Sequence, residues 1–254
     1  MEQFDYVLLT MTVLGAVVFA ALFFVDAGYG KMISAKWGPT LPSRWGWMLM
    51  EMPVLLVITY FWAGFEQRFT LPYLLFYLLF ALHYVHRSFV FPLRMNGRSR
   101  MPVSIVLMSV TFNLINGYIQ GYWLFRLAPQ RAYYDSSWIL SPAFMAGTVV
   151  FLAGMYINRS SDEIVRNLRQ PGDTRHYLPK GGLYNYVTSA NYFGEIVEWL
   201  GWAILTWSGA GLVFFWFTCA NLVPRSNSIY HKYQEEFPDQ FDKTRLKRIL
   251  PYIY

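Results

Sequence analysis

One carboxylic acid stands inside a long apolar stretch of the chain. Glu51 lies within Met-Leu-Met-Glu-Met-Pro, and Pro53 just after it loosens a helix. An ionisable side chain inside an apolar helix is costly and is therefore a functional candidate by default. We expect Glu51 to be protonated or hydrogen-bonded to a phenol or an amide.

A second polar group consists of His83, Tyr84, His86 and Arg87. Tyr84 can meet Glu51 across a helix interface. A carboxylic acid paired with a phenol donates hydrogen bonds to a carbonyl oxygen as negative charge develops on that oxygen. The alternative is that Glu51 and Tyr84 only join two helices through a hydrogen bond. The residues alone leave both interpretations open.

A third polar group is basic and contains adjacent glycines. It runs from Asn158 through Asp162 and Arg169 to Gly181-Gly182. Arginine forms two-pronged hydrogen bonds with phosphate, an aspartate accepts from a ribose hydroxyl, and glycines let the backbone approach a ligand closely. The pattern suits a nucleotide, although a basic loop below a membrane helix is more often simply solvated.

Asn191, Glu195 and Glu198 follow at spacings of four and three residues, which places them on one face of a helix. We expect this face to look inward and not towards lipid. The sequence contains no GxGxxG after a strand, no GKS or GKT phosphate loop and no strand pattern, which excludes a Rossmann domain. Any dinucleotide would be held by helices and loops at the membrane surface.

Long apolar runs must position these groups. Hydrophobic residues make up 55% of the 254 residues and charged residues 14%, against about 25% charged in a soluble domain. A membrane core needs roughly 20 apolar residues per helix. Seven runs come near that length and predict one all-α domain, residues 1–254, that is an integral membrane protein with seven transmembrane helices. The runs are 6–25, 45–65, 71–91, 102–124, 139–157, 192–207 and 210–223.

The basic residues favour an odd number of crossings. With seven spans, all but three of the 21 Lys and Arg residues fall on one side, and the exceptions are Arg68, Arg126 and Arg131. By the positive-inside rule the N-terminus is then outside and the C-terminus cytoplasmic. The first run follows acidic Glu2 and Asp5 and ends at no small-residue cleavage site, so we expect a retained helix and not a signal peptide.

Composition also excludes several classes of site. The single cysteine, Cys219, lies in an apolar run, so neither an internal disulfide nor a cysteine-based metal cluster can form. The closest histidine pair, His83 and His86, lacks the HExxH pattern, and we expect no metal. Aromatic residues lie in the apolar runs and not among the loop arginines, which argues against nucleic acid. No stripe of small residues demands a dimer, so we expect a monomer surrounded by membrane lipid.

The same blocks of residues resemble the steroid 5α-reductase family over most of the chain. The second half carries Asn158-x3-Asp162, Leu168-Arg169-x-Pro171-Gly172-Asp173, Pro179-x-Gly181-Gly182-Leu183 and Ser189-Ala190-Asn191-Tyr192-x-Gly194-Glu195-x2-Glu198-Trp199, in the family's order. Other similar blocks are Tyr29-Gly30-Lys31, Glu51-x-Pro53, His83-Tyr84-x-His86-Arg87, Asn113-x2-Asn116-Gly117-Tyr118 and Ile249-Leu250-Pro251-Tyr252-Ile253-Tyr254. The family fold is a seven-helix membrane domain with a cytosolic C-terminus.

The resemblance implies an NADPH-dependent reduction of the 4,5 double bond in a 3-oxo-4-ene steroid. Glu51 and Tyr84 match the family's pair that hydrogen-bonds the 3-keto oxygen while hydride passes to C5 and a proton is added at C4. Tyr29, Arg87 and Asn116 are further substrate-contacting positions on this interpretation.

The resemblance also implies a set of cofactor contacts. They are Asn96, Arg98, Asn158, Asp162, Arg169, His176, Asn191, Glu195, Glu198, Arg225, Tyr230 and His231. The chain departs from the family pattern in three places, which affect the shape of the pocket and hence the natural substrate. His176 stands where members often have Tyr, residues 226–231 replace a stretch with a His-His pair, and Met50 replaces a common Gln.

Other assignments stay open at this point. We expect a bacterial member in the cytoplasmic membrane, with the cofactor site on the cytoplasmic side. One alternative is a reductase of another enone or polyprenal lipid, and a second is an isoprenylcysteine-type membrane methyltransferase that binds S-adenosylmethionine. Glu51 with Tyr84 favours a ketone, and Asp162 with Arg169 favours NADPH. A non-catalytic transporter or scaffold predicts no stabilisation by NADPH on heating.

Overall fold

The computed structural model of the chain describes residues 3–25, 28, 32, 35–96, 99–170, 173 and 175–254. Seven helices of 17 to 28 residues make up most of this described part. They are α1 (Gln3–Ala21), α2 (Ser43–Ala63), α3 (Leu71–Leu93), α4 (Val103–Gln130), α5 (Pro142–Asn167), α6 (Ala190–Thr206) and α7 (Gly209–Glu236). The predicted helical architecture is confirmed.

Four helices in the described ranges, α1 to α4, are long and apolar enough to cross a membrane. They expose large apolar side chains, such as Val17, Leu56 and Leu107 at 58–60% exposure, and a lipid surrounding favours such a surface. The other three helices are shorter or less apolar than these four. Helix α6 has 17 residues, and α5 and α7 carry charged residues in their second halves. Seven crossings and their orientation stay predictions.

Serines fix the starts of the later helices. Ser141 accepts a hydrogen bond from the amide of Phe144 at 3.1 Å, and Pro142 takes the first helical position of α5. Ser208 accepts from the amide of Gly211 at 3.0 Å and starts α7 two residues after α6 ends. The tight pair of helices predicted around Ser208 is therefore confirmed.

Helix α7 extends well past its predicted end. The apolar run stops at Val223, but the helix continues through Pro224 to Glu236. The prediction was wrong here because hydropathy marks only the apolar half of a helix, whereas the polar half is stabilised by contacts. One such contact is the hydrogen bond from Arg225 Nε to the hydroxyl of Tyr192, at 2.9 Å.

A two-stranded ribbon contradicts the expectation that the chain lacks strands. Strand β1 (Thr40–Pro42) pairs antiparallel with β2 (Arg100–Pro102). Each strand has three residues and ends in proline, so neither shows the alternating pattern that reveals a strand in sequence. The ribbon joins the starts of α2 and α4, and the amide of Ser43 donates to the carbonyl of Ser99 across it.

Glycines let α5 and α6 pack backbone to backbone. A Cβ atom on Gly154 would collide with the backbone of α6, and one on Gly194 with the backbone of α5. Each helix repeats the close approach two turns away, at Gly147 and Gly201. The polar residues that follow Gly154 and Gly194 are thereby held side by side.

Aromatic rings fill the core between α3, α6 and α7. Phe80 lies 5.7 Å from Trp199 and 5.1 Å from Trp202, and Phe214 lies 4.3 Å from Trp199, measured between ring centroids. Trp199 and Trp202 are fully buried. This packing fixes α3 against α6 one turn before the polar residues that begin at His83.

The C-terminal segment after α7 returns to the loop that precedes α6. The amide of Thr188 donates to the carbonyl of Lys247 at 2.9 Å, and the amide of Lys247 donates to the carbonyl of Tyr186 at 2.8 Å. The Thr188 hydroxyl also donates to the carbonyl of Arg248 at 3.1 Å. These bonds hold the loop before α6 against residues 247 and 248.

Candidate active site

Arg87 is the centre of the polar site. It lies on a π-helical segment of α3, His86–Val90, and is 7% exposed. Its Nη1 donates to Asp162 Oδ2 at 3.2 Å and its Nη2 to Glu195 Oε2 at 3.4 Å, while the guanidinium lies over the ring of Trp47 at 4.4 Å. Two carboxylates and an aromatic face compensate a buried charge that would otherwise be expensive.

Amide side chains connect α5 and α6 beside this arginine. Asn191 Nδ2 donates to Asp162 Oδ1 at 2.9 Å, and Asn158 Nδ2 donates to the carbonyl of Asn191 at 2.9 Å. Because the glycines hold the two helices together just there, short side chains reach across the interface. Asn191 and Glu195 both turn towards the centre, as their spacing predicts.

Glu51 and Tyr84 approach the same centre from α2 and α3. Tyr84 is 3% exposed, and Glu51 is close enough for its charge to act on the phenol. Asn113 of α4 donates to Glu51 Oε2 at 3.4 Å and to the carbonyl of Met50 at 2.6 Å. Glu51 therefore has the amide partner that the sequence led us to expect. Asn116, one turn further along α4, is buried beside Tyr84.

His83 and Glu198 form a buried pair behind Tyr84. His83 Nδ1 and Glu198 Oε1 are 2.8 Å apart, and the two residues are 6% and 0% exposed. The His83 ring packs 4.9 Å from the ring of Tyr84 and 4.6 Å from that of Trp199. Glu198 thus reaches the site through His83, and the second carboxylate oxygen, Oε2, has no hydrogen-bond partner in the described part of the chain.

Two adjoining cavities lie beside the Arg87 centre. The larger, of about 670 Å³, lies between α3 and α5, and the smaller, of about 370 Å³, lies between the loop before α6 and α7. Arg169 and Asn191 line both cavities. The predicted cofactor residues Asn96 and Asp162 line the larger cavity, and His176 and Arg225 line the smaller one.

The loop after α5 is organised by hydrogen bonds. Asn96 Nδ2 donates to the carbonyl of Arg169 at 3.3 Å, and Arg169 Nε donates to the carbonyl of Arg175 at 2.8 Å. Asp173 accepts from the guanidinium and the amide of Arg175 and from the hydroxyl of Tyr177. These hydrogen bonds, above all that from the Arg175 side chain, hold the pKa of Asp173 well below its ordinary value.

Some predicted residues lie away from the cavities. His176 does line the smaller cavity, but its Nδ1 lies 2.9 Å from Glu236 Oε1. Tyr230 packs against Phe241 and His231 is exposed, and neither lines the two cavities. Tyr29 and Arg98, predicted to contact substrate and cofactor, lie outside the described residues. Within the described ranges, no cluster of three or more His, Cys, Asp or Glu side chains is arranged to hold a metal ion.

Sequence reasoning gave no role to Trp47 or to Asn113, and none beyond its cluster to His83. A signal existed for two of them, because Trp47 precedes Glu51 by four residues and His83 precedes Arg87 by four. Helical neighbours of a candidate residue on the same face are the natural first places to look. Asn113 reaches Glu51 from another helix, which no local spacing could indicate.

The apolar helices α1 to α4 indicate a membrane protein. The buried arginine–carboxylate centre beside two cavities lined by basic residues is typical of an enzyme's active site. The sequence profile of the family described as 3-oxo-5-alpha-steroid 4-dehydrogenase matches residues 99–254. The chain is also similar to individual proteins along nearly its whole length. Steroid 5-alpha-reductase DET2 of Gossypium hirsutum is 36% identical over 255 residues, which cover 99% of this chain and 97% of that protein.

Two further relatives give the same result. Steroid 5-alpha-reductase DET2 of Arabidopsis thaliana is 37% identical over 257 residues, covering 99% of this chain and 97% of that protein. The 3-oxo-5-alpha-steroid 4-dehydrogenase 1 of Mus musculus is 37% identical over 247 residues, covering 94% and 92%. The chain belongs to the 3-oxo-5-alpha-steroid 4-dehydrogenase family and is an oxidoreductase that acts on a CH–CH group. These relatives are plant and mammalian and give no support to the predicted bacterial origin.

Proposed function

We propose that the chain uses NADPH to reduce the 4,5 double bond of a 3-oxo-4-ene steroid to the 5α product. The proposal rests above all on one observation: Glu51 of α2 and Tyr84 of α3 lie close enough for their charges to interact, and Glu51 also interacts electrostatically with Arg87. A phenol and a carboxyl group from neighbouring helices suit a ketone oxygen placed between them. Family membership supports the same reaction type.

The residues that line the cavities fit the proposed cofactor. Arg169 lines both cavities and Arg225 the smaller one, which suits the negative charge of phosphates. Asp162 and Asn191 offer the acceptors and donors that ribose hydroxyls need. When bound, NADPH supplies the hydride. Asn96, Asp162, Arg169, Asn191 and Arg225 would hold it.

Tyr84 and Glu51 are proposed to act on the 3-keto oxygen. The Tyr84 hydroxyl donates a hydrogen bond to that oxygen, and the Glu51 carboxyl group in its neutral form donates a second one. Both bonds strengthen as negative charge moves from the double bond onto the oxygen, which lowers the barrier to attack at C5. Tyr84 is buried among the rings of Phe80 and Trp199, and in such apolar surroundings a hydrogen bond is electrostatically stronger than in water.

The test is to incubate the detergent-purified protein with NADPH and a 3-oxo-4-ene steroid and to follow the product's mass and its configuration at C5. We expect a gain of two hydrogens with the 5α configuration. If NADPH protects the fold against heating but no turnover occurs, the substrate is another enone lipid. The absence of both protection and turnover rejects the proposal.

The matched variants for this test are Tyr84→Phe and Glu51→Gln. Removal of one oxyanion donor costs about 10²- to 10³-fold in turnover in other enzymes, and we expect a loss of that order for Tyr84→Phe. NADPH affinity should be nearly unchanged, because Tyr84 contacts the ketone and not the nucleotide. Equal losses of turnover and NADPH affinity would reject the assigned role.

We also propose that the chain works as a single seven-span domain with an external N-terminus. The cofactor cavities then open to the cytoplasm, next to the basic loops. Since α5 and α6 use their glycines against each other within one chain, no small-residue face on these two helices is left for dimerisation, and a monomer is expected.

A further inference from the structure

The larger cavity reaches the outer surface of the helix bundle. Its inner wall includes the buried Asp162. Its outer wall includes Leu152, Tyr156 and Arg159, which follow one another on α5 at spacings of four and three residues and so share one helix face. Leu152 and Tyr156 are 44% and 74% exposed. The cavity therefore opens at residues that the proposed cofactor contacts do not include.

This face of α5 changes from apolar to basic along its length. Val149 and Leu152 are exposed aliphatic residues, Tyr156 follows one turn later, and Arg159 is the first charged residue of the helix. Aliphatic, aromatic and basic residues follow in this order where a helix leaves the hydrocarbon core of a membrane and enters the layer of lipid head groups. We therefore expect the outer end of the cavity to lie at head-group level.

Helix α3 forms the other side of the same groove. It is long and apolar enough to cross a membrane, and it exposes Leu82 and Val85. Arg94 follows directly after its last residue and lines the cavity. Arg159 Nη2 donates to the carbonyl of Leu82 at 2.9 Å, so this side chain reaches from α5 to α3. The groove thus has apolar walls on both helices and a basic end.

The two carboxylates that line the cavity within the described ranges are already paired. Asp162 accepts a hydrogen bond from Arg87 at 3.2 Å. Glu163 Oε1 lies 2.6 Å from Nη2 of Arg166 and 3.5 Å from Nη2 of Arg94. The side chains of Arg94 and Glu163 are about half exposed, and an ion pair of that kind contributes little. Arg94 can therefore turn towards another anion at little cost.

Arg159 has a greater need of an anionic partner. It is half-buried, and among the described residues no carboxylate lies within ion-pair distance of it. Its bond to Leu82 uses one of the five N–H groups of the guanidinium. Arg94 and Arg159 are both close enough to His86 for their charges to act on it, so two cations approach one point of the cavity. An anion at that point would compensate their partly desolvated charges.

We propose that the outer end of the larger cavity, formed by Leu152, Tyr156, Arg159 and Arg94, binds an anionic phospholipid of the membrane. The two arginines donate hydrogen bonds to its phosphate group, as basic pockets between membrane helices do for lipid head groups. The acyl chains lie along the exposed apolar residues of α3 and α5. A lipid suits the groove better than a free phosphate because the basic end continues into apolar walls. The site rests on the position of α3 in the membrane and not on the proposed reaction.

The test compares the detergent-purified parent protein with Arg159→Gln and Arg94→Gln. Native mass spectrometry measures the binding of dioctanoyl phosphatidylglycerol, dioctanoyl phosphatidylcholine and glycerophosphate. We expect the parent to bind phosphatidylglycerol most tightly, because choline adds a positive charge and glycerophosphate lacks acyl chains. A hydrogen bond to a charged group is worth about tenfold in affinity. Arg159→Gln should therefore bind phosphatidylglycerol about tenfold more weakly, and Arg94→Gln should bind it more weakly to a smaller extent.

The chain offers a matched control in Arg44. Like Arg159, it donates from Nη2 to a backbone carbonyl, that of Met95, at 3.2 Å. It is exposed at the start of α2 and lines neither cavity. Arg44→Gln removes the same charge from the protein as Arg159→Gln does but leaves the groove unchanged. We expect it to bind phosphatidylglycerol nearly as the parent does.

The outcomes distinguish the lipid site from general attraction and from the cofactor site. Equal losses in Arg159→Gln and Arg44→Gln would show attraction by surface charge alone and overturn the site. Equal affinities of the parent for glycerophosphate and phosphatidylglycerol would show a site for free phosphate and overturn the lipid. Weaker NADPH binding to Arg159→Gln, with phosphatidylglycerol binding unchanged, would assign the outer end to the cofactor. Should Arg159→Gln fail to fold, Arg94→Gln decides by the same comparison with Arg44→Gln.

Discussion

Single side chains in the site have separable tasks. Arg87 binds Asp162 and Glu195, which come from two different helices. Glu198 sits one turn beyond Glu195, yet it contacts His83 and not Arg87, and neither glutamate lines the two cavities. Two glutamates on one helix face thus differ in what they can touch, and substitution should separate their effects.

We expect Glu198→Gln to lower turnover while leaving NADPH affinity unchanged. The substitution weakens the bond that orients His83, whose ring packs on Tyr84, so Tyr84, the proposed donor to the ketone, loses its position. Loss of a bond to a charged partner suggests a fall of about 10-fold or more in kcat. Steady-state kinetics and NADPH titration measure the two quantities.

The comparison variant is Glu195→Gln. Because Glu195 binds Arg87, this substitution should weaken the binding of NADPH. Weaker NADPH binding to Glu198→Gln would instead make Glu198 a cofactor contact.

Asp173 provides a prediction about pH. Hydrogen bonds lower its pKa in the folded protein, so their stabilising effect is complete above the unfolded-state pKa of about 3.9. It is lost only as the pH falls through the lower folded-state pKa. We expect Asp173→Asn to weaken NADP⁺ binding about two- to fivefold, because Arg169 is held by the backbone of Arg175.

The ratio of parent to Asp173→Asn affinities should be the same at pH 5.5 and pH 8. Titration of the nucleotide's own phosphate affects both proteins and cancels in the ratio. A ratio that approaches one at pH 5.5 would mean that Asp173 loses its charge near that pH, contrary to the structure.

At this scale the sequence identified most of the residues that meet around Arg87, because buried charge in an apolar chain is rare and conspicuous. It offered Trp47 only as a helical neighbour of Glu51, because the contact of Trp47 with Arg87 depends on how α2 and α3 pack. It could not separate Glu198 from Glu195, since helical spacing gives a shared face but not the partners across it.

The packing of α5 on α6 is the element that holds the site together. The same helices carry Asn158 and Asp162 on one side and Asn191 and Glu195 on the other. The glycine pairs on each helix, seven residues apart, were a readable signal of close packing within the chain. The strand ribbon and the extension of α7 had no comparable local signal.

We expect Gly154→Ala to reduce the stability of the protein by about 1–3 kcal/mol, because its methyl group would meet the α6 backbone and push the helices apart. Thermal unfolding in detergent measures the loss. The control is Gly209→Ala, whose methyl group would make an ordinary contact at 3.4 Å with the side chain of Leu8. Equal stability of the two variants would show that the close approach carries no energetic weight.

For the whole molecule, the proposed orientation in the membrane rests on charge and on the number of helices that cross. Cys219 is the sole cysteine, so in a Cys219→Ser background single cysteines can report on each side. Gln67→Cys lies in the exposed loop between α2 and α3, and Asp239→Cys lies in the exposed segment after α7. With seven crossings, an impermeant thiol reagent applied to intact cells should label the first position but not the second.

The labelling result separates seven crossings from four. If only α1 to α4 cross the membrane, positions 67 and 239 lie on the same side and are labelled alike. Composition predicted a membrane protein and the order of its helices, because a helix that crosses the hydrocarbon core needs a long run of apolar residues. Composition could not determine whether α5 to α7 cross, since each of these helices carries charged residues of the site.

The bonds between the C-terminal segment and the loop before α6 have a consequence for biosynthesis. Thr188 is bonded to Arg248, which lies 60 residues later in the chain. The start of α6 therefore gains this partner only after 60 further residues have been synthesised. Helix α6 can pair with α5 earlier than that, so the two helices are expected to pack before the loop that precedes α6 takes its final position.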